Sequence, residues 1–358
     1  NMRFFWKFSQ TRGWGRRYIR VHAELKQAIY CIKRAMTLSA KKIKKKTRPK
    51  SAVKHKNAIG DNLAMNPLEF YISEGAANYG NKPPFTIYYD NPEDSIRLLK
   101  GDCIEILDRA RENSVDMIFA DPPYFLSNGG ITCHAGKMVS VNKGKWDKSK
   151  GVIENHKFIL EWLKACQRVL KPNGTIWVSG TTHIIYSIGF AMQELGYKIL
   201  NDIIWYKRNA PPNLSCRYFT HSTEIVLWAA KNQKSKHYFN YPLMREMNQG
   251  KQMRNVWEIS APQSEEKKFG KHPTQKPVDL LTRLILASTK EGDVVLDPFC
   301  GSSTTGVAAI LLNRKYVGID LEDEYLQLSV KRLKEALTKR ELKLSVTKGA
   351  LPCEKQAM

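Results

Sequence analysis

The sequence predicts an α/β fold, a Rossmann-like, doubly wound and mostly parallel sheet, and three stretches carry that prediction. Residues 115–124, Val-Asp-Met-Ile-Phe-Ala-Asp-Pro-Pro-Tyr, are an apolar strand that stops on Asp121. Residues 291–306 hold a second short apolar strand closing on Asp297-Pro298, followed by small residues that open a helix. Residues 315–320, Lys-Tyr-Val-Gly-Ile-Asp, are a third strand with Asp320 at its tip. Acids that end apolar strands lie at the C-terminal edge of a parallel sheet, where α/β enzymes hold their ligands.

In chain order, residues 1–84 come first and are strongly basic. Of the formal charge of +24, residues 1–60 supply eighteen Lys and Arg against the single acid Glu24. This segment reads as a DNA-holding arm, as a disordered tail, or as sequence upstream of a start at Met65. Order is expected from about Pro84. A strand at 95–101, a helix at 104–110 and the strand at 115–120 make one βαβ unit. A right-handed crossover would set those two strands side by side, with Asp102 and Asp121 at one edge.

Residues 125–151 form a long Gly-, Ser-, Asn- and Lys-rich loop, placed to close over a ligand at Asp121 or to touch DNA. An amphipathic helix at 153–170, a turn at 171–174, a buried strand at 175–179, a helix at 183–195 begun by a capping His183, and strands at 199–206 and 223–230 follow. The last two are expected as an antiparallel hairpin. Residues 231–271 are polar and basic, with little helix or strand signal. A helix at 277–289 leads into the strand at 294–297, and one at 322–337 closes a domain of 85–340, leaving 341–358 as a tail.

Composition bounds the function. Positive charge on this scale asks for a polyanionic partner. The seven cysteines, at 31, 103, 133, 166, 216, 300 and 353, contain no C-x-x-C pair and suit a reduced compartment without a zinc site. No apolar run is long enough for a membrane span. A cytoplasmic, nucleoid-associated protein without a metal is expected.

The residues after the first strand point to a class of ligand. Pro122 and Pro123 have no N–H and stiffen the chain, and Tyr124 offers a flat ring. An acceptor carboxylate, an acceptor carbonyl and a stacking ring suit an exocyclic amino group on a planar heterocycle, such as a nucleobase. Read alone, the tetrapeptide is equally a strand-ending turn. Gly301, Ser302 and Ser303 let a ligand approach the backbone at a helix start. Asp320, about twenty residues on, has the spacing at which a carboxylate meets a ribose hydroxyl pair.

With these motifs in this order the chain resembles the S-adenosylmethionine-dependent amino-methyltransferases of DNA, specifically their circularly permuted β group, which has the class I methyltransferase fold with a target-recognition insertion. Asp-Pro-Pro-Tyr precedes Asp-Pro-Phe-Cys-Gly-Ser-Ser, His-Pro-Thr-Gln-Lys-Pro stands at 272–277, Asn-Val-Trp at 255–257 and Gly-Asp-Cys at 101–103. Ser303 stands where the family usually has Gly.

The resemblance implies a catalytic set of Asp121, Pro122, Pro123 and Tyr124. It implies a cofactor set of Asp102 and Cys103 at the adenine, Lys276 near the methionine end, and Asp297, Phe299, Gly301, Ser302, Thr304 and Asp320. The implied reaction moves a methyl group from S-adenosylmethionine to adenine N6 on a flipped-out base; cytosine N4 is the alternative. Segments 125–151 and 231–271 would contact DNA, with Asn209 a candidate in the wall of the base pocket. A homodimer and a companion restriction endonuclease are the further partners that such a chain could have.

Overall fold

The computed structural model describes residues 85–127, 131–134, 137–140, 144, 147–213 and 216–349. The basic extension of 1–84 and the end of the tail lie outside them. The chain divides into two units, Ala64–Asn240 with Arg254–Met358, and Asn1–Leu63 with Tyr241–Met253. Within the second unit, the described residues form the short helix Tyr241–Met247, after which Gly250 returns to accept from Arg245 Nε at 2.9 Å.

The first unit carries a nine-stranded sheet and a hairpin. Its strands are β1 (Phe85–Asn91), β2 (Ile96–Gly101), β3 (Val115–Ala120), the hairpin pair β4 (Ile131–His134) and β5 (Lys137–Ser140), β6 (Leu170–Gly180), β7 (Lys198–Tyr206), β8 (Thr223–Ala230), β9 (Val256–Glu258), β10 (Val294–Asp297) and β11 (Lys315–Asp320). The sheet order is β1-β2-β11-β10-β3-β6-β8-β7-β9. From β2 to β6 every neighbour is parallel, β1 is antiparallel at one edge, and β7 and β8 form the expected antiparallel hairpin.

This order corrects the adjacency expected of the first βαβ unit. β2 and β3 are not neighbours, because β11 and β10, from the far end of the chain, pair between them. Their C-terminal ends still share one edge, since all four strands run the same way.

Helices cover both faces. The helices α1 (Cys103–Arg109), α2 (Val152–Val169) and α3 (Ile185–Glu194) pack on Ile118, Ala120, Ile176, Val178, Leu296, Val317 and Ile319. The alternate residues Met117, Phe119, Trp177, Val295 and Tyr316 are also buried, so the period-2 pattern puts them on the opposite face. There Trp177 Nε1 donates to Ser288 at the end of α5 (Val278–Ser288), once the helix of the second unit is counted as α4. Tyr316 meets α6 (Thr304–Leu311), and α7 (Asp323–Gly349) closes that layer. The final helix runs past its expected end at 337 and past the expected domain end at 340, so 341–349 is helix and not tail.

Gly306 is where α6 and β11 touch most closely. A Cβ there would lie 2.4 Å from Tyr316 Cε1 and 2.7 Å from Leu333 Cδ2. Gly306→Ala is therefore expected to destabilise the protein by about 1–3 kcal/mol through overpacking, despite alanine's better helix propensity; thermal melting checks it.

Local signals missed or misplaced several features: β1 had no signal, the expected loop of 125–151 carries the β4–β5 hairpin, and 231–271 carries a short helix, Tyr241–Met247, as well as β9. The turn chemistry of Lys171-Pro-Asn-Gly174 lies inside β6 as a bulge, where the pairing jumps from Val115 with Leu170 to Met117 with Thr175. Strand β9 has three residues, too few for an alternation signal, and exists because β7 offers it an edge. His183 does not cap α3: its Nδ1 lies 3.3 Å from Thr181 Oγ1, and Ile184 holds the cap position.

Candidate active site

Four acids stand in a row at the C-terminal edge of the parallel strands. Asp102 follows β2, Asp320 ends β11, Asp297 ends β10 and Asp121 follows β3, in the spatial order of those strands. Neighbouring strands lie about 4.8 Å apart, so the row spans roughly 15 Å. A cavity of about 220 Å³ opens along it, lined by all four acids and by Cys103, Pro123, Lys276, Phe299, Gly301, Ser302 and Thr304. These are eleven of the thirteen residues that the sequence motifs nominate. Pro122 and Tyr124 stand in the same tetrapeptide as Asp121 and Pro123 but are not in the cavity wall.

Asp102 is the N-cap of α1: its Oδ1 accepts from Ile104 N at 2.9 Å and Glu105 N at 3.1 Å. Capping and facing the cavity are compatible, since capping occupies one of its two carboxylate oxygens.

The small-residue loop after β10 is built by tight local geometry. Gly301 is left-handed (φ 49°), and a Cβ there would come within 2.9 Å of His272 Nε2, so a side chain would add backbone strain and push the imidazole aside. Ser303 is also left-handed (φ 51°), a conformation that costs a residue with a Cβ about 1–2 kcal/mol. Its hydroxyl accepts from Tyr316 Oη at 3.2 Å, which fixes the conformation. Helix α7 clamps the loop from behind. Arg332 Nη1 donates to Ser302 O at 2.5 Å and Thr304 Oγ1 at 3.0 Å, and Ser329 Oγ donates to Gly301 O at 2.8 Å.

The two acids of this loop region are poised near neutrality. Burial pushes Asp297 up to about 7, against the hydrogen bonds from Thr305 Oγ1 (2.5 Å) and Phe299 N (3.1 Å). Burial also pushes Asp320 up to about 6, although it accepts from Glu322 N (2.9 Å) and Gly301 N (2.8 Å).

Asp121 is held by groups from distant parts of the chain. Its Oδ2 accepts from Lys276 Nζ at 2.5 Å and its Oδ1 from Tyr124 Oη at 2.6 Å. Tyr124 Oη lies 3.0 Å from Ser179 Oγ at the end of β6. Glu224, the second residue of β8, lies 3.7 Å from Lys276 Nζ and also pairs with Lys207. Burial pulls the Lys276 ammonium down, but the Asp121 and Glu224 carboxylates more than offset it and leave it raised.

Two residues make contacts that the sequence did not foretell. Lys276, which the resemblance puts near the methionine end of the cofactor, lines the cavity and is also the ion-pair partner of Asp121. Tyr124, expected as an open stacking face, is only 5% exposed, with its hydroxyl tied to Asp121 and the Lys276 ammonium 5.4 Å from its ring centroid.

Asp147 was not found from sequence, because nothing local distinguishes it from other acids in a polar loop. It is fully buried, and its Oδ1 accepts from Tyr124 N and Phe125 N, both at 2.8 Å. Its Oδ2 accepts from Leu126 N at 3.2 Å and Ser127 Oγ at 2.8 Å. The far end of the 125–151 segment thus pins the chain leaving Asp121, and it holds Phe125 in its left-handed conformation (φ 57°). Asp147→Ala is expected to speed amide exchange at Tyr124 and Phe125 by about 10- to 100-fold, because hydrogen bonds to a charged acceptor contribute about 1.5–3 kcal/mol each. Unchanged exchange there would show that the cradle is held by other groups.

Comparison with known proteins gives concordant matches. A DNA methylase family matches residues 115–331. The chain is 57% identical to the type II methyltransferase M2.LlaDCHI of Lactococcus lactis subsp. cremoris over 252 residues, 70% of this chain and 93% of that one. It is 56% identical to the type II methyltransferase M2.DpnII of Streptococcus pneumoniae over 247 residues, 69% and 91% of the two chains. Among solved structures it is similar to the M1.HpyAVI–SAM complex, with a TM-score of 0.51 and 31% identity, covering 66% of this chain and 98% of that one.

Proposed function

The chain belongs to the DNA methylase family and is an S-adenosylmethionine-dependent DNA methyltransferase of the restriction–modification type; from that membership we propose that it methylates adenine at N6 within a short DNA sequence, and that Asp121 is the acceptor for the target amino group. The observation that carries this reading is the placement of Asp121, the last of four acids along one cavity edge, with its carboxylate held by Lys276 and Tyr124.

The residues along the edge fit the methyl donor. Asp297 and Asp320 are carboxylates raised by burial, which the hydrogen bonds they accept offset only in part. A ligand bringing a cationic centre and hydroxyl donors would favour their ionised forms further, and Gly301 leaves the backbone open to it. Asp320 would hold the ribose, Asp102 and Cys103 the adenine, and Asp297, Phe299, Gly301, Ser302 and Thr304 the remainder. Bound there, S-adenosylmethionine offers a methyl group on a positively charged sulfur to in-line displacement.

The chain's own part is positioning and charge. Asp121 and the Pro122 carbonyl accept the two amino hydrogens and direct the nitrogen lone pair toward the methyl group. Positive charge that would develop on the amino nitrogen as it takes the methyl group and sulfur leaves would be stabilised by Asp121 until a proton departs. Lys276, an ammonium at neutral pH, holds the Asp121 carboxylate in place and yields its place to the substrate amine. Pro123 stiffens the turn, and Tyr124 fixes Asp121 through its hydroxyl; for its ring to stack on the entering base, that buried face has to be uncovered as the base arrives. That base must leave the duplex, which costs a few kcal/mol. On the same reading the catalytic strand precedes the cofactor strand by circular permutation. The protein acts on the nucleoid in the cytoplasm, as a homodimer beside an endonuclease of matching specificity.

Incubation with labelled S-adenosylmethionine and unmethylated genomic DNA, followed by nucleoside analysis and position-resolved sequencing, tests this. N6-methyladenine at one short motif is the expected product. N4-methylcytosine would overturn the choice of base, and label on RNA alone would overturn the substrate.

Cofactor affinity should also depend on pH. If binding needs Asp320 ionised, and its carboxyl sits at about 6 in the free protein, affinity rises as pH rises through that value. The Kd is expected to fall about tenfold between pH 5 and 7.5, and calorimetry on Asp320→Asn should show a flatter profile. Parallel profiles for the two proteins would remove Asp320 from the cofactor set.

A further inference from the structure

The loop joining β7 to β8 carries the most exposed aromatic pair among the described residues. Phe219 is 96% exposed and Tyr218 is 62% exposed, and Arg217 precedes them on the surface. The loop around them is pinned. Lys207 N donates to Ser222 O at 2.8 Å, Asn213 Nδ2 donates to Tyr218 O at 2.7 Å, and the Tyr218 ring stands 5.5 Å from His221. The adjacent Tyr218 and Phe219 rings form an apolar patch that folding leaves to water, open to a partner that would cover it.

Its position says what it meets. Strand β7 ends and β8 begins at the sheet edge that carries Asp121. Glu224, five residues after Phe219, lies 3.7 Å from Lys276 Nζ, which in turn donates to Asp121 Oδ2 at 2.5 Å. Five residues of extended chain reach at most about 18 Å. That chain length keeps Phe219 in the neighbourhood of the acceptor site, on a segment with a basic residue beside it. A duplex that delivers a base to Asp121 leaves its emptied stack in the same neighbourhood.

We propose that Phe219 is a wedge that enters double-stranded DNA and fills the gap left by the extruded target base. The inference rests on the methyltransferase reading above and adds to it a surface and a task. Stacking of the ring against the neighbouring bases takes the place of the stacking that the target base gives up on leaving, so the wedge matters only where the target is paired and stacked. Arg217 supplies charge toward the phosphates.

The test uses the full chain, wild type and Phe219→Ala, on oligonucleotides carrying the motif found by sequencing. One is a normal duplex; the other places an abasic site opposite the target, so that extrusion is easier. Phe219→Ala is expected to lose roughly 10- to 100-fold in kcat/KM on the normal duplex, to lose less than about threefold on the abasic duplex, and to be rescued by Phe219→Trp. A duplex rate equal to that of wild type overturns the wedge. An equal loss on both substrates also overturns it, because the residue would then serve binding or folding in general. If wild type methylates neither oligonucleotide, the methyltransferase reading fails first, which separates that failure from a failure of the wedge.

Discussion

Asp121→Ala is expected to lower the single-turnover rate of methyl transfer by about 10²- to 10⁴-fold while the protein still binds S-adenosylmethionine. The carboxylate is the anionic acceptor at the end of β3, and a methyl side chain can neither orient the amine nor stabilise the charge that develops on it. Binding persists because the residues of the β10 and β11 tips are held by other groups: Asp320 by Gly301 and Glu322, and the small-residue loop by Arg332 and Ser329. Asp121→Asn keeps one acceptor oxygen and loses the charge, so it should fall between the two. The decisive pair of measurements is label transfer at saturating DNA and the cofactor Kd. A rate near that of wild type in Asp121→Ala would remove Asp121 from the mechanism, and a loss of cofactor binding of the same size would make the residue structural.

Lys276→Met is expected to destabilise the fold more than any other substitution named above. It leaves the Asp121 and Glu224 carboxylates facing a buried site with their shared cation gone. Breaking a buried pair by removing one partner costs about 3–5 kcal/mol, or roughly 6–20 °C in Tm for a domain of this size. The sign with pH follows from the raised lysine pKa. The contribution is fully present below the ordinary lysine range, so at pH 7 the whole loss appears, and in wild type it fades only as pH rises through the raised value. Glu224 keeps its pair with Lys207, so adding Asp121→Asn to Lys276→Met removes the charge left without its cation and should restore part of the stability. A Tm within about 2 °C of wild type for the single variant, on the order of 1 kcal/mol or less, would show that water or rearrangement compensates the pair.

These two residues mark where reading the chain succeeds and where it stops. Asp121 was legible because its signal is local: an apolar run, an acid and two prolines in ten consecutive residues. Lys276 was legible as a motif member, but its partner was not, since Asp121 lies 155 positions away. Asp147, Ser179 and Arg332 had no signal of their own. Each is an ordinary polar residue whose importance comes from the backbone or hydroxyl that it meets, and nothing in the neighbouring sequence encodes that partner.

The same division holds for the fold. Most of the strands and helices of the central sheet, and which strand ends carry an acid, were written in the chain, because period-2 and period-3.6 burial patterns and turn residues act within one element. Folding in three dimensions added that β11 and β10 pair between β2 and β3, that the four acids thereby form one row, that a three-residue strand adds to β7, and that Lys276 and Tyr124 turn toward Asp121. Strand neighbours and buried ion pairs are chosen by burial and charge over the whole chain at once, so no local window of sequence contains them.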